Sequence, residues 1–392
     1  MARNIVTGID IGTYQVKVII TEGTQKNGNY VPRIIGKGMA ESKGLRHGYI
    51  INTGDTVRSV KQAILQASKA AGIPIKRAFI SVGGIGLSSF ISQGGTIITR
   101  ADSTVTELDM AKALEVCESE IPTSLSLNRT IIHTIPLQYK IDGKPVLGRP
   151  FGMKGSKLEV RTLFVTCLKH HLDDLIEGIE EAGIEVIDAY ASPIAASFVT
   201  LSKTQKIAGC VLANIGAETL SIVVFENNIP ISLEVFPIGS TDITNDIALG
   251  LRIPLEEAES IKLGALTKTT YPQKELENII SARLSDMFEL VEAHLKKIGR
   301  NGLLPAGIII TGGGSGIGTI EDFARIALKL PSKRAVFQSK GAEGENLDTM
   351  WSVAYGLCFL GINSENDESI GVSKWAKKTR SSMVSWVKQF LP

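Results

Sequence analysis

Two glycine turns, 204 residues apart, hold the residue types that can grip phosphate. The first sits in GIDIGTYQVKVII (8–20) and the second in VLANIGAETLSIVVF (211–225). Each reads as an apolar strand, a turn with glycine and a hydroxyl residue, and a second apolar strand. Each then runs into a hairpin signal, Lys26-Asn27-Gly28-Asn29 in one case and Glu226-Asn227-Asn228 in the other. Setting Asp10 against Asn214 aligns Gly12 with Gly216, Val18 with Ile222 and Ile20 with Val224. Backbone N–H groups in such turns form anion-binding nests, and a neighbouring hydroxyl adds a donor. Either turn alone also fits an ordinary hairpin. The repeat predicts two similar half-molecules that offer their turns to one cleft.

A third glycine cluster, TGGGSGIG (311–318), closes an apolar strand. It matches the T-G-x-x-x-G-x-G turn of short-chain dehydrogenases, where a pyrophosphate approaches a helix N-terminus. Only 74 residues follow Gly318, and Tyr355 has Phe359 four places on, where a catalytic lysine should stand. That reading fails on length and chemistry. In a two-hairpin architecture, Gly312, Gly313, Gly314 and Ser315 can instead lie under a purine and ribose. Glu259 and Lys262, three apart on the preceding helix, project on one face. They are candidates for ribose hydroxyls and the base edge, or a plain helix-surface ion pair.

The elements that must position these residues follow from pattern. Strands near 4–10, 14–22 and 30–39 precede a helix at 55–71, with Val57, Val60, Ile64, Leu65 and Ala71 on its expected buried face and Gly72 closing it. A strand at 77–82 ends at Gly83-Gly84. Residues 85–160 read as an inserted unit: a hairpin-like SSFISQGGTIITR, a helix near 106–119, and a strand with a loop, GRPFGMKGSKLEV. The α/β pattern resumes with a strand at 160–168. The second half repeats the scheme: strands at 207–214, 219–226 and 229–236, helices at 240–251, 254–265 and 276–299, strands at 306–311 and 335–338, and helices near 319–329 and 349–361. A chain of 392 residues exceeds one compact core. Its 43% hydrophobic and 21% charged content is that of a globular protein, and a net charge of +2 argues against general nucleic-acid binding. Cys117, Cys167, Cys210 and Cys358 lie in apolar patterns and read as reduced core residues. The N-terminal stretch shows no leader pattern and no long apolar span, so no membrane crossing is expected.

The last 22 residues differ from the body. They carry five basic and no acidic residues, and two of the three tryptophans. Trp375, Met383, Trp386, Val387 and Phe390 recur at helical spacing on one face, and lysines and an arginine fill much of the rest. Such a helix lies in the plane of an anionic membrane surface. The polar stretch NSENDESI (363–370) reads as its linker.

With these residues in place, the chain resembles the actin and heat-shock-chaperone ATPase superfamily and, within it, the FtsA family of bacterial cell-division proteins. GRPFGMKGSKLEV is close to that family's N-P-x-G-M-x-G-x-x-L-E-V signature. The resemblance implies an α/β, actin-like duplicated ATPase fold: two βββαβαβα-type halves around a nucleotide cleft, with a small inserted αβ subdomain. It places subdomain IA at 1–83 and 161–203, IC at 84–160, IIA at 204–251 and 303–362, and IIB at 252–302. It implies ATP and Mg²⁺ as ligands, with Asp10, Gly12, Thr13, Tyr14 and Lys17 in the first phosphate motif and Gly216, Ala217, Glu218 and Thr219 in the second. Gly239 joins this set, and Asp10 holds Mg²⁺ through water. Arg283 and Asp286 match an Arg-x-x-Glu pair associated with the C-terminal tail of the tubulin-like FtsZ. The resemblance further implies self-association into filaments on the cytoplasmic side of the membrane at the division site, and contact with later division proteins.

Two departures bear on catalysis. Asn214 replaces the aspartate that opens the second motif, and Ala191-Ser192-Pro193 stands where active relatives carry Gln or Glu. Phosphoryl transfer depends on positioning and electrostatics, so nucleotide is expected as an assembly ligand with weak or absent hydrolysis. Two other functions fit the superfamily: a peptide-binding pilus-assembly protein, which usually lacks the tail helix, and a sugar or metabolite kinase, for which no substrate base is evident.

Overall fold

The computed structural model describes residues 4–26, 29–264, 271–337 and 347–365. The first half opens with β1 (Ile5–Ile11), β2 (Gln15–Lys26) and β3 (Asn29–Glu41), then a short hairpin of β4 (Leu45–Arg46) and β5 (Tyr49–Ile50). Helix α1 (Thr53–Ala71) and β6 (Arg77–Val82) follow. Asn52 caps α1 by accepting the Asp55 N–H at 3.1 Å, and Gly72 ends it at φ +69°. Val57, Val60, Ala63 and Ala67 are buried along this helix, while Leu65 is 70% exposed. Leu65 lies one residue, about 100°, past the stripe through Ile64, and faces solvent.

An inserted unit comprises β7 (Ser88–Ile97), α2 (Glu107–Ser119), α3 (Thr123–Ser126), β8 (Arg129–Ile141), β9 (Lys144–Val146) and β10 (Lys157–Leu168), with sheet order β7-β10-β8-β9. The expected hairpin at 88–100 is instead one strand. Gly94-Gly95 reads as a turn in sequence, but a Cβ on Gly94 would lie 2.3 Å from the backbone N of Cys117. The glycine serves close approach of α2 to the sheet. Since β10 pairs with both β7 and β8, the expected boundary at 160/161 falls inside a strand, and the inserted sheet runs on to Leu168.

The first half then resumes with α4 (Lys169–Glu181), β11 (Glu185–Ala191), α5 (Ser192–Thr200) and α6 (Lys203–Ala208); α6 takes in residues 207 and 208, the start of the strand expected at 207–214. The second half contains β12 (Cys210–Ile215), β13 (Leu220–Glu226), β14 (Ile229–Phe236), α7 (Ser240–Leu251), α8 (Leu255–Lys262), α9 (Gln273–Lys297), β15 (Ile308–Thr311), α10 (Ile320–Leu328), β16 (Ser332–Arg334) and α11 (Ser352–Glu365). The strand expected at 335–338 is β16, which ends at Arg334. Helix α11 takes in the first three residues of the expected linker.

The two large sheets share one topology. Their orders are β11-β6-β1-β2-β3 and, read in the same direction, β16-β15-β12-β13-β14. Registers coincide as well: Asp10 pairs with Lys17 as Asn214 pairs with Ser221, and Ile9 lies beside Ile80 as Ala213 lies beside Ile310. The βββαβαβα order is thus present twice.

The last helix departs from the expected partition. Tyr355, Leu357 and Cys358 belong to the core of the first half, and α11 packs on α5 and β1. A Cβ on Gly356 would lie 1.9 Å from the Ala195 carbonyl oxygen, and one on Gly8 would lie 2.3 Å from the Ala354 oxygen. Tyr355 donates its hydroxyl to the Pro32 carbonyl at 2.9 Å. Residues 352–362 therefore pack with the first half rather than with IIA. Helix α5, in turn, touches β12 and β13.

Candidate functional site

Each glycine turn is closed by one backbone hydrogen bond in the same place: Gly12 N–H to the Gln15 carbonyl at 3.2 Å, and Gly216 N–H to the Thr219 carbonyl at 2.8 Å. A Cβ on Gly12 or Gly216 would lie 3.0 or 3.1 Å from those oxygens, so glycine permits the tight turn. The turns line one cavity of about 420 Å³ between the halves, with Asp10, Thr13, Tyr14 and Lys17 on one side and Asn214, Ala217 and Thr219 on the other. The second turn is braced from behind, because Ser240 and Thr241 donate their N–H groups to the Gly216 and Ala217 carbonyls at 2.9 and 2.8 Å. Gly239 makes this brace possible, since a Cβ there would lie 2.2 Å from the Ala217 oxygen. It supports the turn and is not part of the cavity lining.

The walls differ in charge. Asp10 is buried; its Oδ1 accepts the Ser81 hydroxyl at 2.9 Å, and Lys17 Nζ lies 3.7 Å from Oδ2. At the matching register the second half has an amide, Asn214, and a hydroxyl, Ser221. Asn214 Oδ1 sits 2.4 Å from where a Cβ on Gly312 would be, and Gly312 has φ +90°, so only glycine suits that position. Ser192 donates its hydroxyl to the Val82 carbonyl at 3.0 Å. It lines the cavity and brings no carboxylate or amide to it.

On the far wall, Gly312, Gly313 and Gly314 join Glu259 and Lys262. Lys262 Nζ lies 2.6 Å from Glu259 Oε2 and donates to Thr244 Oγ1 at 2.8 Å and the Ser240 carbonyl at 3.2 Å. The lysine side chain is only 6% exposed. This pair is therefore built into the α7–α8 junction and is not a solvated surface pair. Ser315 turns inward, donating to the Gly312 carbonyl at 2.7 Å, and shapes the glycine turn without lining the cavity.

Several lining residues were not assigned from sequence. Gly83 and Gly84 line the first wall, as Gly313 and Gly314 line the second, and Gly48 and Thr241 join them. Extending the repeat alignment from Gly12 and Gly216 to the strand ends would have paired Gly83 with Gly313. Glu218, assigned to the second phosphate motif, is outside the lining. Its carboxylate accepts the His47 N–H at 2.5 Å.

Arg283 and Asp286 lie away from this cavity, on α9. Arg283 forks onto Asp246 of α7, Nε to Oδ2 at 2.6 Å and Nη2 to Oδ1 at 3.0 Å, with Asp286 Oδ2 at 3.4 Å from Nη1. Those hydrogen bonds hold the guanidinium pKa above its ordinary value. The expected membrane residues Trp375, Met383, Trp386, Val387 and Phe390 lie outside the described residues.

Known proteins share this arrangement. The family model described as "Cell division protein FtsA" matches residues 211–356, and that described as "SHS2 domain inserted in FTSA" matches 84–166. Cell division protein FtsA of Bacillus subtilis is 32% identical over 348 residues, covering 83% of this chain and 77% of the relative. That of Pseudomonas aeruginosa is 29% identical over 385 residues, covering 93% and 90%. Among solved structures, a PilM–PilN type IV pilus biogenesis complex superposes with a TM-score of 0.66 at 16% identity, covering 91% of this chain and 98% of that one. MreB5 of Spiroplasma citri bound to ADP gives 0.51 at 14%, covering 92% and 98%. These two likenesses show the actin-like fold. A relative of such identity as that of Bacillus subtilis, spanning most of both sequences, settles the matter: the chain belongs to the FtsA family of cell-division proteins.

Proposed function

We propose that this chain binds ATP between its halves and assembles into filaments on the cytoplasmic face of the membrane at the division site. There it tethers FtsZ through the FtsZ C-terminal tail and meets later division proteins. The observation that carries the nucleotide part is the pair of equivalent turns on opposite walls of one cavity. Gly12, Thr13 and Tyr14 hold phosphates from one side and Gly216, Ala217 and Thr219 from the other, with Lys17 supplying charge. Glu259, Lys262 and the 312–314 turn receive the nucleoside. Asp10 is the anionic group suited to hydrated Mg²⁺, which when bound neutralises phosphate charge. The partition into IA, IC, IIA and IIB is part of the same proposal, with IC extended to 168 and α11 moved to IA.

Hydrolysis is a different matter. Ser192 spends its proton on Val82, and Asn214 offers no charge, so neither activates a water. The nucleotide acts as an assembly ligand. Arg283 and Asp286 remain the proposed FtsZ-tail contacts on IIB; the bond to Asp246 fixes the guanidinium, and Asp286 stays largely exposed.

Co-sedimentation with anionic liposomes, with and without ATP and the FtsZ tail peptide, tests the whole. Pelleting of the protein, increased by ATP and carrying the peptide with it, is expected. Turnover of ATP at actin-filament rates or faster would refute the ligand role, and absence of ATP binding would refute the nucleotide reading.

A further inference from the structure

Glu218 is one of the two central residues of the second phosphate turn, yet its carboxylate leaves the cavity and reaches the other half. It meets the turn between β4 and β5, where Arg46 pairs with Tyr49 and the two residues between them, His47 and Gly48, have φ +47° and +85°. Two consecutive positive φ values make a two-residue hairpin turn of the primed type. Such a turn directs the His47 N–H outward. Glu218 Oε2 accepts it at 2.5 Å, and the His47 ring Nδ1 lies 3.4 Å from the Glu218 carbonyl oxygen. The hairpin is fixed from behind as well. A Cβ on Gly48 would lie 2.3 Å from Gly84 Cα, and Ile85 donates its N–H to the His47 carbonyl at 3.3 Å. Gly84 itself lines the cavity. The second phosphate turn is thus tied to the end of β6, which forms part of the opposite wall.

We propose that Glu218 is a positioning residue that holds the second phosphate turn against the first half, so that the site favours a nucleoside triphosphate over a diphosphate. This rests on the nucleotide reading above. Two physical effects support it. A carboxylate in a phosphate-binding turn repels a polyphosphate unless it is held outward, and the His47 N–H holds it there. The same bond fixes the distance between the second turn and the opposite wall, which matters most to a terminal phosphate lying between them. A diphosphate, held mainly through its nucleoside and inner phosphates, depends less on that distance.

Three proteins decide it: the unaltered chain, Glu218→Ala and Glu218→Gln, each titrated with ATP and with ADP. The alanine variant should lose roughly two- to tenfold in ATP affinity, the worth of one such hydrogen bond, with ADP affinity unchanged. Glutamine, whose amide oxygen still accepts from His47, should restore most of the loss. Hydrogen exchange without nucleotide gives a second readout. The amide of His47 should exchange faster in Glu218→Ala and at the original rate in Glu218→Gln. An unchanged ATP-to-ADP ratio in the alanine variant overturns the proposal, as does an equal rise in ATP affinity in both variants, which would mean charge repulsion alone. If the unaltered chain binds neither nucleotide, the nucleotide reading falls and the coupling with it, while exchange at His47 still shows whether the contact exists.

Discussion

His294 on α9 sits edge-on to the Phe236 ring of β14, with centroids 6.3 Å apart. Its Nε2 lies 2.8 Å from the Ser232 hydroxyl and its Nδ1 3.7 Å from Glu234 Oε2. Burial, aided by Lys297, pushes its pKa from the ordinary 6.5 down to about 4. The folded protein therefore keeps the ring neutral where the unfolded chain would protonate it. The resulting stability is complete above about pH 6.5 and is lost as pH falls towards 4. The loss should reach about 2 kcal/mol, allowing for partial screening. Burial raises the pKa of Glu234, which acts in the opposite sense, so the His294 contribution is the difference between the original chain and His294→Gln. Urea unfolding at pH 7 and pH 4.5 measures it, and the variant should show a flatter slope. Residue identity was a good guide to the cavity where the backbone does the work, as at Gly12 and Gly216. It was a poorer guide where a residue could serve the turn from either side. Glu218, Gly239 and Ser315 all sit within a binding motif, but the first reaches the opposite half, the second braces a turn from behind and the third folds back on Gly312. No local pattern announces the first two directions, because the partners lie 171 and 22 residues away.

Elements were legible where one face is buried and illegible where a glycine has two uses. The Gly94-Gly95 pair in β7 has the composition of a turn, yet the strand continues through it because α2 needs the space. Gly94→Ala should cost about 1–3 kcal/mol, since the added carbon meets the α2 backbone rather than a movable side chain. Gly318→Ala, with nothing within 4 Å of its added carbon, should stay within about 0.5 kcal/mol of the original. Equilibrium unfolding of both separates a steric effect from the general effect of replacing glycine. Strand β10 shows a second limit. Its apolar run was recognised, and so was the strand that is β8, but their pairing was not, and pairing decides to which unit a strand belongs. The likeness of the two halves, by contrast, was legible from two turns, because each fixes the register of the strands that flank it, while the order of the remaining strands came with the family resemblance.

At the scale of the whole molecule, the tail beyond Glu365 carries the proposed attachment to lipid. Among the described residues no helix is long and apolar enough to cross a membrane, and the tail's pattern is that of a helix lying in the interface. Trp386→Glu places a charge on its apolar face and should release the protein from anionic liposomes in a pelleting assay, leaving nucleotide affinity untouched. Retention of pelleting would remove the tail as the anchor. The seat of α11 has a further consequence for how the chain acquires its shape. The sheet that begins at Ile5 is covered by a helix that begins at Ser352, so nearly the whole polypeptide must be synthesised before the earliest strands can close their interior. Maturation therefore cannot proceed one half at a time from the ribosome, and a chain stopped short of Ser352 would leave that interior open to water.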